Sequence, residues 1–184
     1  MKRDFLGKVK ITELFKGDPS LPKLSSHYLT ASYYDLSVVH ELEVWRTEFT
    51  LKPLEKPIEK SYTSTFFAEH IEEPRVFAAT LNEVHIGWIE LGYEKWNNRM
   101  RIWEFFVKKE FRRLRVGSLL MDFAVRIAKE KGARMLVLET QSCNVPAITF
   151  YQKQGFKLVG FDSAAYSNED IEKREVRLEF GLAL

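Results

Sequence analysis

RIWEFFVKKEFRRLRVGSLLMDFAVRIAKEKGARMLVLET, residues 101–140, carries the change of period that decides the fold. Arg101–Val107 reads as a strand that follows the polar loop Tyr93–Arg99. From Val116 the period changes. Val116, Leu119, Leu120, Phe123, Ala124, Ile127 and Ala128 fall three and four residues apart and make one apolar stripe on a helix. Lys129, Glu130 and Lys131 close its last turn, and Gly132 suits the position just past a helix end. Met135-Leu136-Val137-Leu138 is then a continuous apolar run, expected of a strand covered on both faces. A strand–helix–strand of this length normally closes as a right-handed parallel crossover.

Upstream, Arg75–Leu81 and His85–Gly92 read as strands around an Asn82-Glu83 turn, with short loops that imply antiparallel neighbours. Residues 33–51 carry enough β-formers for one strand or a hairpin, and Pro53 and Pro57 punctuate the polar stretch that follows. Val9 to Phe15 fits a strand or a short helix, and residues 1–60 are the least readable part. Downstream, Asn144-Val145-Pro146 starts a second helix, since asparagine caps well and proline is tolerated in the first turn. That helix ends before Gly155. Phe156–Phe161 and the alternating Val176–Leu182 are the last strands. A mixed α/β (α+β) domain follows.

Composition narrows the function. The chain has 184 residues, 28 Lys+Arg against 26 Asp+Glu, and a net charge of +2, which gives no ground for a nucleic-acid partner. A single cysteine, Cys143, excludes an intrachain disulfide, and His27, His40, His70 and His85 lack ligand spacing, so no metal is expected. The charged start Met1–Lys8 leads into no apolar segment, and no run approaches the ~20 residues of a membrane span. A cytoplasmic protein is the expectation.

Two constellations carry chemistry. In Val107–Ser118 a strand ends and a loop with five basic residues and one acid feeds a helix N-terminus. Free N–H groups there favour an anion, and the basic side chains suit phosphates, although a solvated basic turn reads the same way. The second is Asn144-x-x-Ala147-x-x-Phe150-Tyr151-x-Lys153-x-Gly155-Phe156. Together they resemble the GNAT superfamily of N-acetyltransferases. Leu138-Glu139-Thr140-Gln141-Ser142-x-Asn144, Phe150–Phe156 and Gly160-Phe161-Asp162 resemble streptothricin acetyltransferases in particular. The resemblance is dense from 102 to 161, fainter over 75–92 and in the last strand, and is not claimed for residues 1–60.

It implies one acetyltransferase domain over 1–184 with its acetyl-CoA core at 101–161. The sheet would be mixed, flanked by helices, and splayed between the family's fourth and fifth strands, here Arg101–Val107 and Arg134–Thr140. Phe105, Phe106 and Val107 would line the pantetheine. The loop Arg112, Arg113, Leu114, Arg115, Val116, Gly117 and Ser118 would hold the pyrophosphate, and Asn144, Ala147, Tyr151 and Lys153 would also meet the cofactor. One position departs: Arg115 stands where the family carries the first loop glycine, whose permissive dihedrals allow close backbone approach. Its side chain either adds a cation beside the phosphates or closes the site.

An aliphatic ammonium must lose a proton before it attacks a thioester. Glu104, alone among Ile102, Trp103, Phe105 and Phe106, is the candidate base; the alternative is an acid on a solvent-facing strand. Tyr151 matches the family tyrosine that protonates the thiolate, or packs as a core aromatic. Glu139 either binds a cationic substrate or ties the sheet edge to a loop, and Tyr166, in the polar loop 163–172, would line the acceptor. The acceptor is expected to be a small-molecule primary amine, by resemblance a streptothricin-like antibiotic. A protein N-acetyltransferase and a degenerate binding module of the same fold are the alternatives. Exposed sheet edges make a homodimer a further expectation.

Overall fold

A computed structural model describes residues 6–184. The charged opening Met1–Phe5 lies outside the described residues. In chain order the elements are β1 (Lys10–Leu14), β2 (Leu24–His40), β3 (Trp45–Ser64), β4 (Arg75–Leu81), β5 (Val84–Glu94), β6 (Arg99–Val107), a 3-10 turn (Lys109–Phe111), α1 (Val116–Glu130), β7 (Met135–Gln141), α2 (Val145–Lys153), β8 (Lys157–Asp162) and β9 (Arg177–Ala183). The chain forms two compact units. One holds the residues up to Ser26, Thr63–Leu138 and Leu182–Leu184; the other holds His27–Tyr62 and Glu139–Gly181.

The first unit carries the sheet order β1-β4-β5-β6-β7. β1, β4, β5 and β6 pair antiparallel, and β6 and β7 pair parallel, as the crossover through α1 requires. The β4–β5 turn is the expected Asn82-Glu83, with φ of 47° and 66°. Two left-handed residues match the twist of a tight hairpin. α1 buries Val116, Leu120, Met121, Ala124, Ile127 and Ala128 against β5 and β6. Each large side chain so buried contributes about 1.5–3 kcal/mol. The helix approaches the sheet closely at Gly87, where a Cβ would lie 3.1 Å from the Leu120 side chain and from the Phe106 carbonyl oxygen. On β1, β4 and β5, Leu14, Val76, Ala78 and Trp88 form a further apolar cluster, with Phe66, Phe67 and Phe106 against it.

The second unit contains the antiparallel pair β8–β9, α2 and most of the ribbon β2–β3. Ile148, Tyr151, Phe156, Val176, Leu178 and Phe180 are buried in it. The Tyr34 N–H donates to the Ser142 carbonyl, and the Ser142 N–H donates to that of Val176. The sequence places a break at Pro53 and Pro57, yet β3 runs through both. Among the described residues β3 pairs only with β2, so its other edge needs no donors. N–H directions alternate along a strand, and prolines four apart place both missing donors on the same edge. Val9–Phe15 resolves as the strand β1.

Gly92 of β5 illustrates how tightly the first unit is fitted. A Cβ there would sit 2.6 Å from Trp103 Nε1 and 2.7 Å from Ile71 Cγ2. Gly92→Ala should therefore displace the Trp103 indole and cost about 1–3 kcal/mol. Thermal unfolding, with tryptophan emission as the probe of the indole, checks this; an unchanged midpoint would show that the indole yields freely.

Candidate active site

The parallel ladder between β6 and β7 ends at Ile102↔Leu138, whereas β6 continues to Val107. The expected parting of these two strands is thus present in the pairing. The β5 register also shifts here: Leu91 faces Ile102 but Glu90 faces Glu104, which leaves Trp103 as an extra residue on β6. Such a bulge bends its strand and re-aims the side chains beyond it.

Glu104 is half-buried, not on an open solvent face. Burial pushes its carboxyl above the usual range, and the nearby Ser64 hydroxyl partly offsets this. Directly across the strand pair lies Glu90, which is wholly buried. One of its oxygens accepts from the Phe67 N–H at 2.6 Å, and the other has no hydrogen-bond partner among the described residues. Burial raises the Glu90 carboxyl to about 7, against the pull of the Phe67 N–H, and the Glu104 charge adds to the rise. Glu90 did not emerge from the sequence, although the signal was present: a lone acid inside the apolar run Ile86–Leu91, the same mark that singled out Glu104.

The loop after β6 leads from the strand end into the start of α1. Arg112 Nε donates to the Val107 carbonyl at 3.0 Å, which ties the loop's first arginine to the strand end. Arg113 and Arg115 both have positive φ, 61° and 68°. Arg115 is the N-cap of α1 in the left-handed conformation and makes no side-chain cap. The dihedrals that glycine would adopt easily are therefore adopted by arginine, at about 1–2 kcal/mol. Lys109, Arg112, Arg113 and Arg115 are exposed, Leu114 and Gly117 half-buried, and Val116 buried. Basic side chains around a helix start without a side-chain cap fit a phosphate-bearing ligand. Phe105, Phe106 and Val107 are half-buried on β6.

In the second unit, Asn144 caps α2 as expected, its side chain accepting from the Ala147 N–H at 3.3 Å. Lys153 is exposed in the last turn. Tyr151 is 9% exposed and packs against Phe150, Phe156 and Phe180. Cys143 is wholly buried, with its sulfur 3.3 Å from the Tyr28 hydroxyl. Burial raises the thiol, so it stays protonated. Glu139 and Tyr166 come together: the Tyr166 hydroxyl donates to Glu139 at 3.3 Å, and Arg177 Nε donates to the other Glu139 oxygen at 2.6 Å. Glu139 thus ties β7, β9 and the polar loop. That loop is built on Asp170, which sequence reasoning missed. It is wholly buried and accepts from the Tyr166 N–H and the Ser167 hydroxyl. Burial raises its carboxyl, but these donors more than offset that and hold it below the usual range. Among the described residues, no three His, Cys, Asp or Glu side chains gather as for a metal ion, and no helix is long and apolar enough to cross a membrane.

Comparison with known proteins bears on this arrangement. The profile of the Acetyltransferase (GNAT) family matches residues 39–156. The streptothricin acetyltransferase of Streptomyces lavendulae is 30% identical over 143 residues, 72% of this chain and 76% of that protein. A Bacillus anthracis protein assigned as a streptothricin acetyltransferase and crystallised with acetyl coenzyme A superposes with a TM-score of 0.78. It is 31% identical, and the match covers 96% of this chain and 99% of that one. Nourseothricin acetyltransferase gives 0.74 and 26%, covering 96% and 98%. With its mixed α+β sheet, parted ladder and basic helix start, this chain belongs to the GNAT family of N-acetyltransferases.

Proposed function

We propose that the protein moves an acetyl group from acetyl-CoA to a primary amine of a small cationic molecule of the streptothricin class. The observation that carries the reading is Glu104: a carboxyl of raised basicity on the stretch of β6 that has left the β7 ladder. The relatives support the substrate class, since one carries streptothricin in its name and another was crystallised with acetyl coenzyme A. The family profile takes in residues of both units, which supports reading 1–184 as one acetyltransferase domain. A cytoplasmic setting suits an enzyme that draws on metabolic acetyl-CoA.

Bound acetyl-CoA would supply the activated thioester. Arg112, Arg113, Leu114, Arg115, Val116, Gly117 and Ser118 would hold its pyrophosphate, with Phe105, Phe106 and Val107 along the pantetheine. Glu104 takes a proton from the acceptor ammonium, which frees the nitrogen lone pair for attack. A backbone N–H near Phe106 or Val107 steadies the developing oxyanion. In the family's pattern Tyr151 protonates the leaving thiolate, while Asn144, Ala147 and Lys153 contact the cofactor. Glu139 is already paired with Arg177, so it would meet the acceptor through hydrogen bonds, beside Tyr166, more than as a free anion.

Two measurements test this. Acetyl-CoA at about a hundred times its Kd should raise the thermal midpoint by about 5–11 °C. Arg115→Gly should raise the unliganded midpoint by about 2–8 °C through relief of the left-handed arginine and should keep the cofactor shift. No cofactor shift in either protein would sink the binding assignment. Second, Glu104→Gln should lower turnover about 10²–10⁴-fold at neutral pH and less at high pH, where the amine loses its proton unaided. An unaltered pH–rate profile would remove Glu104 from the chemistry.

A further inference from the structure

Glu90 is a buried carboxyl of which one oxygen holds the Phe67 N–H. Its neighbours across β4 and β6 are Val76 and Glu104. The Phe67 N–H serves one oxygen, and the other is buried without a partner. On the same face of β5, two residues back, Trp88 lies opposite Phe106 and its indole N–H is also buried without a partner. Buried polar atoms that lack partners are costly, and a strand-centre acid would be replaced cheaply by an apolar residue if packing were its only role. Of the groups facing Glu90, Glu104 is the charged one that acts on it.

We infer that Glu90 and Glu104 act as one proton-accepting pair for the acceptor ammonium, with Glu104 as the contact base and Glu90 as the positioning residue behind it that stores the proton. Residues directly opposed in an antiparallel pair have Cβ atoms about 4.5–5.5 Å apart, within reach of two carboxyls sharing a proton. The ammonium N–H bond breaks and an O–H bond forms on Glu104. That proton then passes to the Glu90 carboxylate, which restores Glu104 as an anion beside the attacking amine. The stored proton leaves to water between turnovers, so the net reaction is ammonium plus thioester to amide, thiol and one proton. The direction of transfer follows from the environments: the wholly buried acid holds a proton more firmly than the half-buried one. Its carboxyl at about 7 is suited to accept and release a proton near neutral pH.

The inference rests on the acetyl-transfer reading, but its first test does not. Carbon-13 labelling of glutamate side chains allows the carboxyl resonances of the apoprotein to be titrated. One resonance should titrate near 7 and vanish in Glu90→Gln. In Glu104→Gln it should remain and move down by about one unit, because the adjacent negative charge is gone. Absence of a carboxyl titrating above 6, or an unmoved midpoint in Glu104→Gln, would overturn the pair even if acetylation is confirmed. The Glu104→Gln arm decides the matter should Glu90→Gln fold poorly. The second test is kinetic, with acetyl-CoA and an amine that the wild type acetylates. Glu90→Gln should lower kcat about tenfold at neutral pH, leave KM unchanged and move the acidic limb of the kcat profile to lower pH. A raised KM with the limb in place would make Glu90 a merely structural residue.

Discussion

Trp103 has no counterpart on β5, and that one extra residue sets which β5 residue Glu104 opposes. In a regular strand Glu104 would share a face with Ile102, two residues earlier, which is buried and opposes Leu91. The bulge swaps the alternation and turns Glu104 to the face of Glu90. It also falls where the β7 ladder stops, so the same irregularity coincides with the parting of the sheet. The indole of the extra residue is accommodated because Gly92 offers no Cβ. A bulge, a glycine and two acids on neighbouring strands are therefore parts of one arrangement.

The loop that follows accepts a cost for a related reason. A helix start that offers its N–H groups to an anion needs a backbone that turns sharply and leaves the first turn without a side-chain cap. Here Arg113 and Arg115 take left-handed dihedrals that glycine would adopt without strain. Arg115 holds the left-handed turn and its side chain is exposed. The Arg112 bond to the Val107 carbonyl fixes where the path begins. Strain retained at such a position is characteristic of a ligand site.

Local chemistry made much of this legible from sequence. The apolar stripe of α1, Asn144 as a cap, Gly132 and Gly155 past helix ends and the Asn82-Glu83 turn are each decided by residues a few positions apart. The β2–β3 ribbon was not legible as a continuous element, because whether a proline breaks a strand depends on which edge is paired. That is a property of the partner, not of the strand. Glu90 was missed for the same reason. A lone acid on a strand is ordinary, and it becomes chemical only when the register places a second acid opposite it. Registers follow from turns and bulges, and no residue near Trp103 announces a bulge in advance.

In the second unit the conspicuous acids are matched internally. Glu139 is held by Arg177 and the Tyr166 hydroxyl, Asp170 by the Tyr166 N–H and the Ser167 hydroxyl, and Glu175 by Lys60. Their charge goes into shaping the loop and fixing the ribbon. An ammonium ion gains little from a carboxylate already neutralised by an arginine. Among the described residues no cation acts on Glu104 or Glu90, and each is moderated by a neutral donor. On the proposed reading the pair meets the ammonium as two carboxylates in a setting of low dielectric, and after taking its proton it keeps one negative charge beside the amine.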